Sequence, residues 1–350
     1  MKKSLKAVAV LGLALLFLVG VVGAALAAGE ETTPSATPDQ SAPAPAGGDA
    51  SPGQGAAAPT KHQAQEHERN KGNEFRLRLE ERLRAEVEEE EEKEVEEGHE
   101  GLANRIAKLE AELAKSPGDT NLLWKLAVAY RAAGEYDKAI GVLKELEKLS
   151  PQGAKVAVML ALCLRAKGDS EAALTELEEL GATVPGTVYA YRAILREELG
   201  DLDKAAEEME GAVSGSPAEK ELYEKLGELY EKAGKGEDVK VFLKGKKVAF
   251  DVQPMIVQNR TMVPVRAIAE ALGAEVKWDG ETRTVIVLKA GKVVLIPIGS
   301  LKARVDGTQV ALDVPAMIVG NRTLIPLRFV SESLGALVDW FGTGQVVAIN

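Results

Sequence analysis

Four prolines set the frame of this chain. Pro117, Pro151, Pro185 and Pro217 recur at intervals of 34, 34 and 32 residues. A period of that size marks units that cannot bury an apolar face alone and must stack on their neighbours. Other positions keep the register. Leu123, Leu126, Ala127, Tyr130, Gly134, Ala139, Leu143 and Leu146 are followed, 34 residues on, by Ala157, Leu160, Ala161, Leu164, Gly168, Ala173, Leu177 and Leu180. A third unit keeps Gly200, Ala205, Met209 and Ala212 with a first helix two residues short, and a half-unit shows Leu226, Gly227, Tyr230 and Gly234. Small residues such as Ala127 and Ala139 let two antiparallel helices approach closely. Glycine supplies the positive φ at which the first helix stops, and proline ends the second.

This pattern resembles the tetratricopeptide repeat family over about residues 119–236, as three units and a closing helix. The resemblance implies an all-α solenoid of helical hairpins whose concave face holds a peptide or partner helix. Asn121, Lys125, Val128 and Arg131, then Lys155, Val158, Leu162 and Arg165, are expected on that face. They make a basic, partly apolar strip suited to an acidic or amphipathic partner; an ordinary solvated face is the other reading. Asn121, Lys125, Arg131, Lys155 and Arg165 are the candidate partner-binding residues. Val158 and Leu162 depart from the Lys/Asn/Arg set with which the family clamps a C-terminal carboxylate. The half-unit presents Glu221, Glu224 and Glu228, so charge reverses along the array. Cys163, Trp124, Tyr130 and Tyr230 read as packing residues.

After Gly236 the texture changes from Ala/Leu/Glu to Val/Ile/Thr with frequent turns, and residues 251–287 lie on 313–349 at a constant offset of 62. Shared residues include Met255-Ile256-Val257, Asn259-Arg260-Thr261, Pro264, Arg266, Glu270, Leu272-Gly273-Ala274, Val276, Trp278 and Gly280. Each copy reads as β-β-β-α-β-β. Lys244-Gly245 and Asp306-Gly307 are two-residue hairpins, and Pro264 and Pro326 start short helices that Gly273 and Gly335 stop. Asn-Arg-Thr is expected to serve a turn, with a glycosylation sequon or a ligand-facing loop as alternatives. Arg266/Glu270 and Arg328/Glu332 are i, i+4 surface pairs, and Trp278 and Trp340 are expected to pack in a core or hairpin.

Together the two copies, over residues 239–350, resemble the copper amine oxidase N-terminal domain family. In the parent oxidases this domain is a stalk remote from the copper site, and the resemblance implies exported Gram-positive proteins that lack the oxidase. Oxidase chemistry needs three histidine ligands and a tyrosine, following asparagine, that becomes the quinone. The histidines (His62, His67, His99) all precede residue 100, and none of the six tyrosines follows asparagine. An oxidase is excluded.

Lys2, Lys3 and Lys6 precede an apolar run from Ala7 to Leu26 that ends in Ala25-Leu26-Ala27, the pattern of a signal peptide cut after Ala27. A retained anchor is the alternative. Residues 28–60 are almost wholly Ala, Pro, Gly, Ser, Thr and Gln and read as a disordered tether. Residues 61–115 are charged. Phe75, Leu79, Leu83 and Val87 form a stripe spaced by four, ahead of the nearly continuous acid of Glu88 to Glu97. A solvated single helix or a disordered acidic segment is expected, with a dimerising coiled coil as the alternative.

A net charge of −11 gives no support to a nucleic-acid binder. One cysteine excludes an internal disulfide and a cysteine zinc site. No nucleophile–base pair, phosphate loop, metal cluster or cofactor motif appears. Residues 239–350 nonetheless carry 14 Lys+Arg against nine Asp+Glu, a basic end that suits anionic wall polymers. The expectation is a multidomain, non-enzymatic exported scaffold of the bacterial cell envelope, extracellular or wall-associated. An all-α solenoid would bind a protein or peptide, and an α+β domain of two repeats would hold wall polymer or a second protein. The alternative is a spacer that self-assembles at the cell surface through its charged helix.

Overall fold

The computed structural model describes residues 61–88, 99–149 and 153–350. The export segment at 1–27, the tether at 28–60 and the acidic run over 89–98 lie outside the described residues.

Among the described residues, nine helices form the first region: α1 (Lys61–Glu88), α2 (His99–Leu113), α3 (Thr120–Ala132), α4 (Tyr136–Leu149), α5 (Ala154–Ala166), α6 (Ser170–Glu178), α7 (Gly186–Glu198), α8 (Leu202–Gly215) and α9 (Lys220–Lys232). Three hairpins, α3/α4, α5/α6 and α7/α8, stack in order, and α9 closes the last. Each first helix ends on a glycine at positive φ, 73° at Gly134 and 90° at Gly168. Aspartates start several of the helices. Asp119 accepts from the Asn121 and Leu122 amides, Asp169 from Ala172 and Asp201 from Lys204, each satisfying otherwise unpaired first-turn N–H groups. The core runs through the small residues: Ala127, Ala139, Ala161 and Ala173 are fully buried, as is Cys163. Burial pushes the Cys163 thiol up to about 11, so it stays protonated and unreactive.

Two sequence expectations need correction here. The third unit's first helix is not short: α7 has 13 residues, as α3 and α5 do. The missing residues fall in the connection before it, where helix starts three residues after Pro151 but one after Pro185. Nor is the charged segment a single solvated helix. Ile106 and Leu109 of α2 are buried against α3, so α2 acts as the second helix of a half-hairpin ahead of the first full unit. The Tyr130 hydroxyl donates to Glu110 of α2, as Tyr230 donates to Glu210 of α8 one stack from the other end.

The second region has thirteen strands and two helices. Its first part holds β1 (Lys240–Leu243), β2 (Lys246–Lys247), β3 (Met255–Val257), β4 (Arg260–Pro264), α10 (Val265–Ala271), β5 (Glu275–Asp279), β6 (Thr284–Lys289) and β7 (Lys292–Pro297). The second holds β8 (Lys302–Val305), β9 (Thr308–Ala311), β10 (Met317–Val319), β11 (Arg322–Pro326), α11 (Leu327–Ser333), β12 (Val338–Phe341), a short 3-10 turn at Thr343–Gln345 and β13 (Val346–Ile349). Each copy thus places four strands, two hairpins, ahead of its helix, and β7 belongs to neither copy. The turns are of the kind expected. Lys244-Gly245, Asp306-Gly307, Gln258-Asn259 and Gly320-Asn321 all have positive φ at both central residues, the type I′ geometry that matches strand twist.

The copies are interlocked rather than merely adjacent. One sheet, β12-β13-β1-β2, joins the end of the second copy to the start of the first, through a parallel pairing from Lys240↔Val346 to Leu243↔Ile349. Another, β5-β6-β7-β8-β9, joins the end of the first to the start of the second. The middle sheet, β10-β11-β4-β3, is continuous across β4 and β11, with Val263 opposite Ile325. All three share a core in which Val263, Ile268, Val287, Ile296, Ile325 and Val330 are closed to solvent. Trp278 and Trp340 are not in it: they are 48% and 41% exposed, so of the two expected placements, core or hairpin, the core one does not hold.

The first sheet caps the solenoid. Tyr223 of α9 stacks on Phe341, ring centroids 5.4 Å apart, and meets Phe242 edge-on at 6.0 Å. Gly227 lies so close to the 3-10 turn that a Cβ would sit 2.2 Å from the Thr343 carbonyl oxygen. A terminal repeat needs its apolar face covered, and here a β-rich domain covers it.

Candidate functional site

The concave face of a solenoid of this kind is built from the first helices of successive units. Stacking puts equivalent positions of α3, α5, α7 and α9 side by side, so one register carries Arg131, Arg165, Glu197 and Glu231, and another Trp124, Val158, Ala190 and Glu224. This register corrects one candidate. The residue 34 before Val158 is Trp124, so Lys125 lies one step around the helix, where α5 carries the fully buried Met159 and α7 the fully buried Tyr191.

The groove is occupied by the chain's own α1, which packs against α5 and α7. Its stripe of four-spaced apolar residues explains the choice of face. Leu79, Leu83 and Val87 are 6%, 1% and 6% exposed, and Phe75 is half-buried in the same cluster. The expected solvated face, and the coiled-coil alternative to it, give way to a helix buried in cis.

Charges fix the direction of that helix. Arg131 reaches Glu88 at 2.5 Å, and Arg165 bridges Glu80 of α1 at 3.1 Å and Glu198 of α7 at 2.6 Å. The Thr187 hydroxyl donates to Glu86 at 2.9 Å, and the Tyr191 hydroxyl lies 3.4 Å from Glu80. Burial, and then the Glu80 charge, push the Tyr191 phenol well above its ordinary value, which keeps it a donor. At the other end the polarity inverts. Arg82 donates to Glu219 at 2.8 Å, and Arg78 lies 3.4 Å from Glu221. The hydrogen bond to Glu219 raises the Arg82 guanidinium further. The reversal of charge along the array is therefore met by α1 at four ion pairs, with Arg78 and Arg82 facing Glu221 and Glu219, and Glu80 and Glu88 facing Arg165 and Arg131.

Of the five candidate residues, Arg131 and Arg165 bind α1. Asn121 and Lys155 are exposed and Lys125 is half-buried, and none makes a hydrogen bond or ion pair to α1 among the described residues. Thr187 and Tyr191 of α7 were not among the candidates. Counting back from Gly200 rather than forward from Pro185 brings α7 into register and finds Thr187 at the place of Asn121 and Lys155, while Tyr191 stands at the place of Lys125 and Met159.

The family comparisons agree with this architecture. Residues 130–196 match the tetratricopeptide repeat model, and residues 242–349 match the copper amine oxidase N-terminal domain model. Among solved structures, a crystal structure of MamA is 26% identical, covering 38% of this chain and 80% of that one, with a TM-score of 0.36. A thermophilic tetratricopeptide repeat protein of Thermus thermophilus is 20% identical, covering 57% of this chain and 90% of that one, with a TM-score of 0.31. A protease inhibitor of Brevibacillus choshinensis is 30% identical over 82 residues, 23% of this chain; the chain spans about a quarter of that relative's length.

Proposed function

We propose that this chain, a tetratricopeptide repeat array joined to a copper amine oxidase N-terminal domain, is a non-enzymatic scaffold exported to the bacterial cell envelope. Its array recruits an amphipathic helix of a protein partner, while its C-terminal domain holds wall polymer or a second protein. One observation carries the reading: the groove already holds such a helix. The docking of α1 defines the partner by chemistry, as an apolar four-spaced stripe with arginines towards α9 and glutamates towards α3 and α5. In this arrangement α1 competes with that partner, and the array engages it when α1 leaves. The spacer alternative has less support, because the stripe that would join two copies is buried within one.

Export rests on Lys2, Lys3, Lys6 and the apolar run to Ala27, and wall association rests on the basic balance of residues 239–350. Fractionation of cells expressing the full chain tests both. The expected product begins at Ala28 and is retained by isolated walls at low salt. It is released at about 1 M salt, where screening acts within about 3 Å. A cytosolic chain that keeps its N-terminal lysines would overturn the export reading, and a secreted chain that walls do not retain would overturn attachment.

A further inference from the structure

The internal duplication provides a comparison within one molecule. At several buried positions the copies differ: Met262 against Leu324, Val263 against Ile325, Val265 against Leu327, Ile268 against Val330, Ala269 against Ser331, although Val285/Val347 and Ala274/Ala336 are kept. Such exchanges are what a core tolerates when volume and pattern are kept. At a set of solvent-facing positions the copies are identical. Ile256 and Ile318 are 47% and 49% exposed, Trp278 and Trp340 similarly so, and Arg266/Arg328 and Glu270/Glu332 also face solvent. The Asn259/Asn321 identity has a local cause, the positive φ of its turn, 60° and 61°. The Trp, Ile, Arg and Glu identities have none. A half-exposed Trp or Ile stabilises the fold only through the half it buries, which other apolar residues would also supply, and a surface Arg–Glu pair is worth only about 0.5 kcal/mol.

These residues converge. One cleft, of about 620 Å³, is lined by Arg266, Glu270 and Trp278 of the first copy and by Ile318, Asn321 and Thr323 of the second. Its counterpart, of about 710 Å³, is lined by Arg328, Glu332 and Trp340 of the second copy and by Ile256, Asn259 and Thr261 of the first. The interlocking of the sheets is what brings each half-site to the other. Each cleft also holds an ion pair across the copies, Arg322 with Asp251 at 2.5 Å and Arg260 with Asp313 at 2.6 Å. Neither cleft touches the groove or α1.

We infer that the two clefts are equivalent binding sites for a neutral or N-acetylated polysaccharide, each taking one or a few pyranose units of the same strand. Three features select this ligand. The indole offers an apolar platform to the C–H face of a sugar ring, with Ile beside it. The charged groups stand as Arg–carboxylate pairs, so each cleft offers donors and acceptors side by side with little net charge, which suits hydroxyl groups better than a polyanion. Finally, two like sites on one domain call for a ligand that presents the same unit repeatedly, and binding at both sites multiplies affinity without a new contact. The inference deepens, and to that extent rests on, the attachment role proposed above; it assigns recognition to the clefts rather than to net basic charge.

The test titrates the full chain with cellohexaose, maltohexaose, mannohexaose and chitohexaose, read by calorimetry and by quenching of Trp fluorescence. Trp278→Ala and Trp340→Ala are made singly and together, and unchanged thermal unfolding shows that the variants are folded. The expected result is binding to at least one hexasaccharide that is indifferent to salt. Each single substitution should halve the stoichiometry where a hexasaccharide fills one cleft, or weaken binding where it spans both, and the double substitution should abolish binding. Absence of binding to all four overturns the inference, as does binding that survives the double substitution. Wall retention is scored separately. If walls hold wild type and double variant equally and release both in salt, attachment stands without the clefts. If walls hold neither while a hexasaccharide binds, the clefts stand without wall attachment.

Discussion

Single side chains in this molecule act at junctions between elements. Arg165 has two carboxylate partners on two helices, and one of them, Glu80, belongs to a helix that enters the groove from elsewhere in the sequence. Replacing it with alanine is expected to cost about 2 kcal/mol, the range for hydrogen bonds to charged groups. The loss should appear first as faster hydrogen exchange in α1, with the stacked hairpins protected as before. Leu83, 1% exposed, is the apolar counterpart. Leu83→Ala should cost about 3 kcal/mol in cavity and transfer terms, measured as a lower urea midpoint for α1 release. Glu197 gives the acid dependence. Burial disfavours its charge, but Lys225 at 2.8 Å and Lys232 at 2.7 Å outweigh burial and hold its carboxyl below the ordinary value of 4.5. A carboxyl lowered on folding adds stability that is complete above the ordinary value and is lost as pH falls through the lowered one. Glu197→Gln should therefore flatten the acid limb of stability against pH, with little change in its slope above pH 6, checked by urea unfolding at a series of pH values.

At the scale of elements, periodicity decided what was legible. The glycine–alanine–proline register located every hairpin because backbone turns and close helix contacts demand those residue types wherever the helix packs. The stripe Phe75-Leu79-Leu83-Val87 was legible as a helix face, but its target was not. An apolar stripe says that something covers it and is silent on what, and the acid that follows suggested repulsion rather than a row of arginines waiting elsewhere. Trp124, not Lys125, holds in α3 the place that Val158 holds in α5; Thr187 was hidden because the connection before α7, not the helix, had lost two residues, and Tyr191, outside the expected set, stands in the register of Lys125 and Met159. In the β-rich region the hairpin turns and the helices were foreshadowed by Asn or Gly at positive φ and by proline, but each copy has four strands ahead of its helix rather than three, and β7 was not expected. The exchange of strands between copies was not foreshadowed either, since hydrophobic alternation fixes which face of a strand is buried and leaves its neighbour undetermined. The exposure of Trp278 and Trp340 was missed for a related reason: alternation places Trp278 on the face of Val276, and pairing sets it opposite the buried Val285, but β5 and β12 are the outer strands of their sheets, a placement that alternation does not reveal.

At the scale of the whole molecule, solenoid and β-rich domain share one interface, so the cap on the array is also the platform that presents the clefts. Gly227 is its tightest point. Gly227→Ala would drive a methyl into the Thr343 carbonyl, at a cost of about 1–3 kcal/mol. It should split a single thermal transition into two, seen by calorimetry, as the domain loses its seat on α9. The wider account depends on the groove being a true helix-recognition surface that α1 holds closed. Because α1 belongs to the same chain as the groove, its effective concentration there is on the order of mM. An equivalent helix added in trans at μM concentration should therefore compete poorly against α1.

The most direct measurement is fluorescence anisotropy of a labelled peptide of residues 70–88, titrated with the full chain and with a chain lacking residues 61–98 whose fold is verified by thermal unfolding. The account predicts saturable binding to the shortened chain that weakens on Arg165→Glu, and affinity for the full chain lower by about 100-fold or more. A folded shortened chain that fails to bind the peptide, or a full chain that binds it equally well, would contradict the claim that α1 occupies a recognition groove.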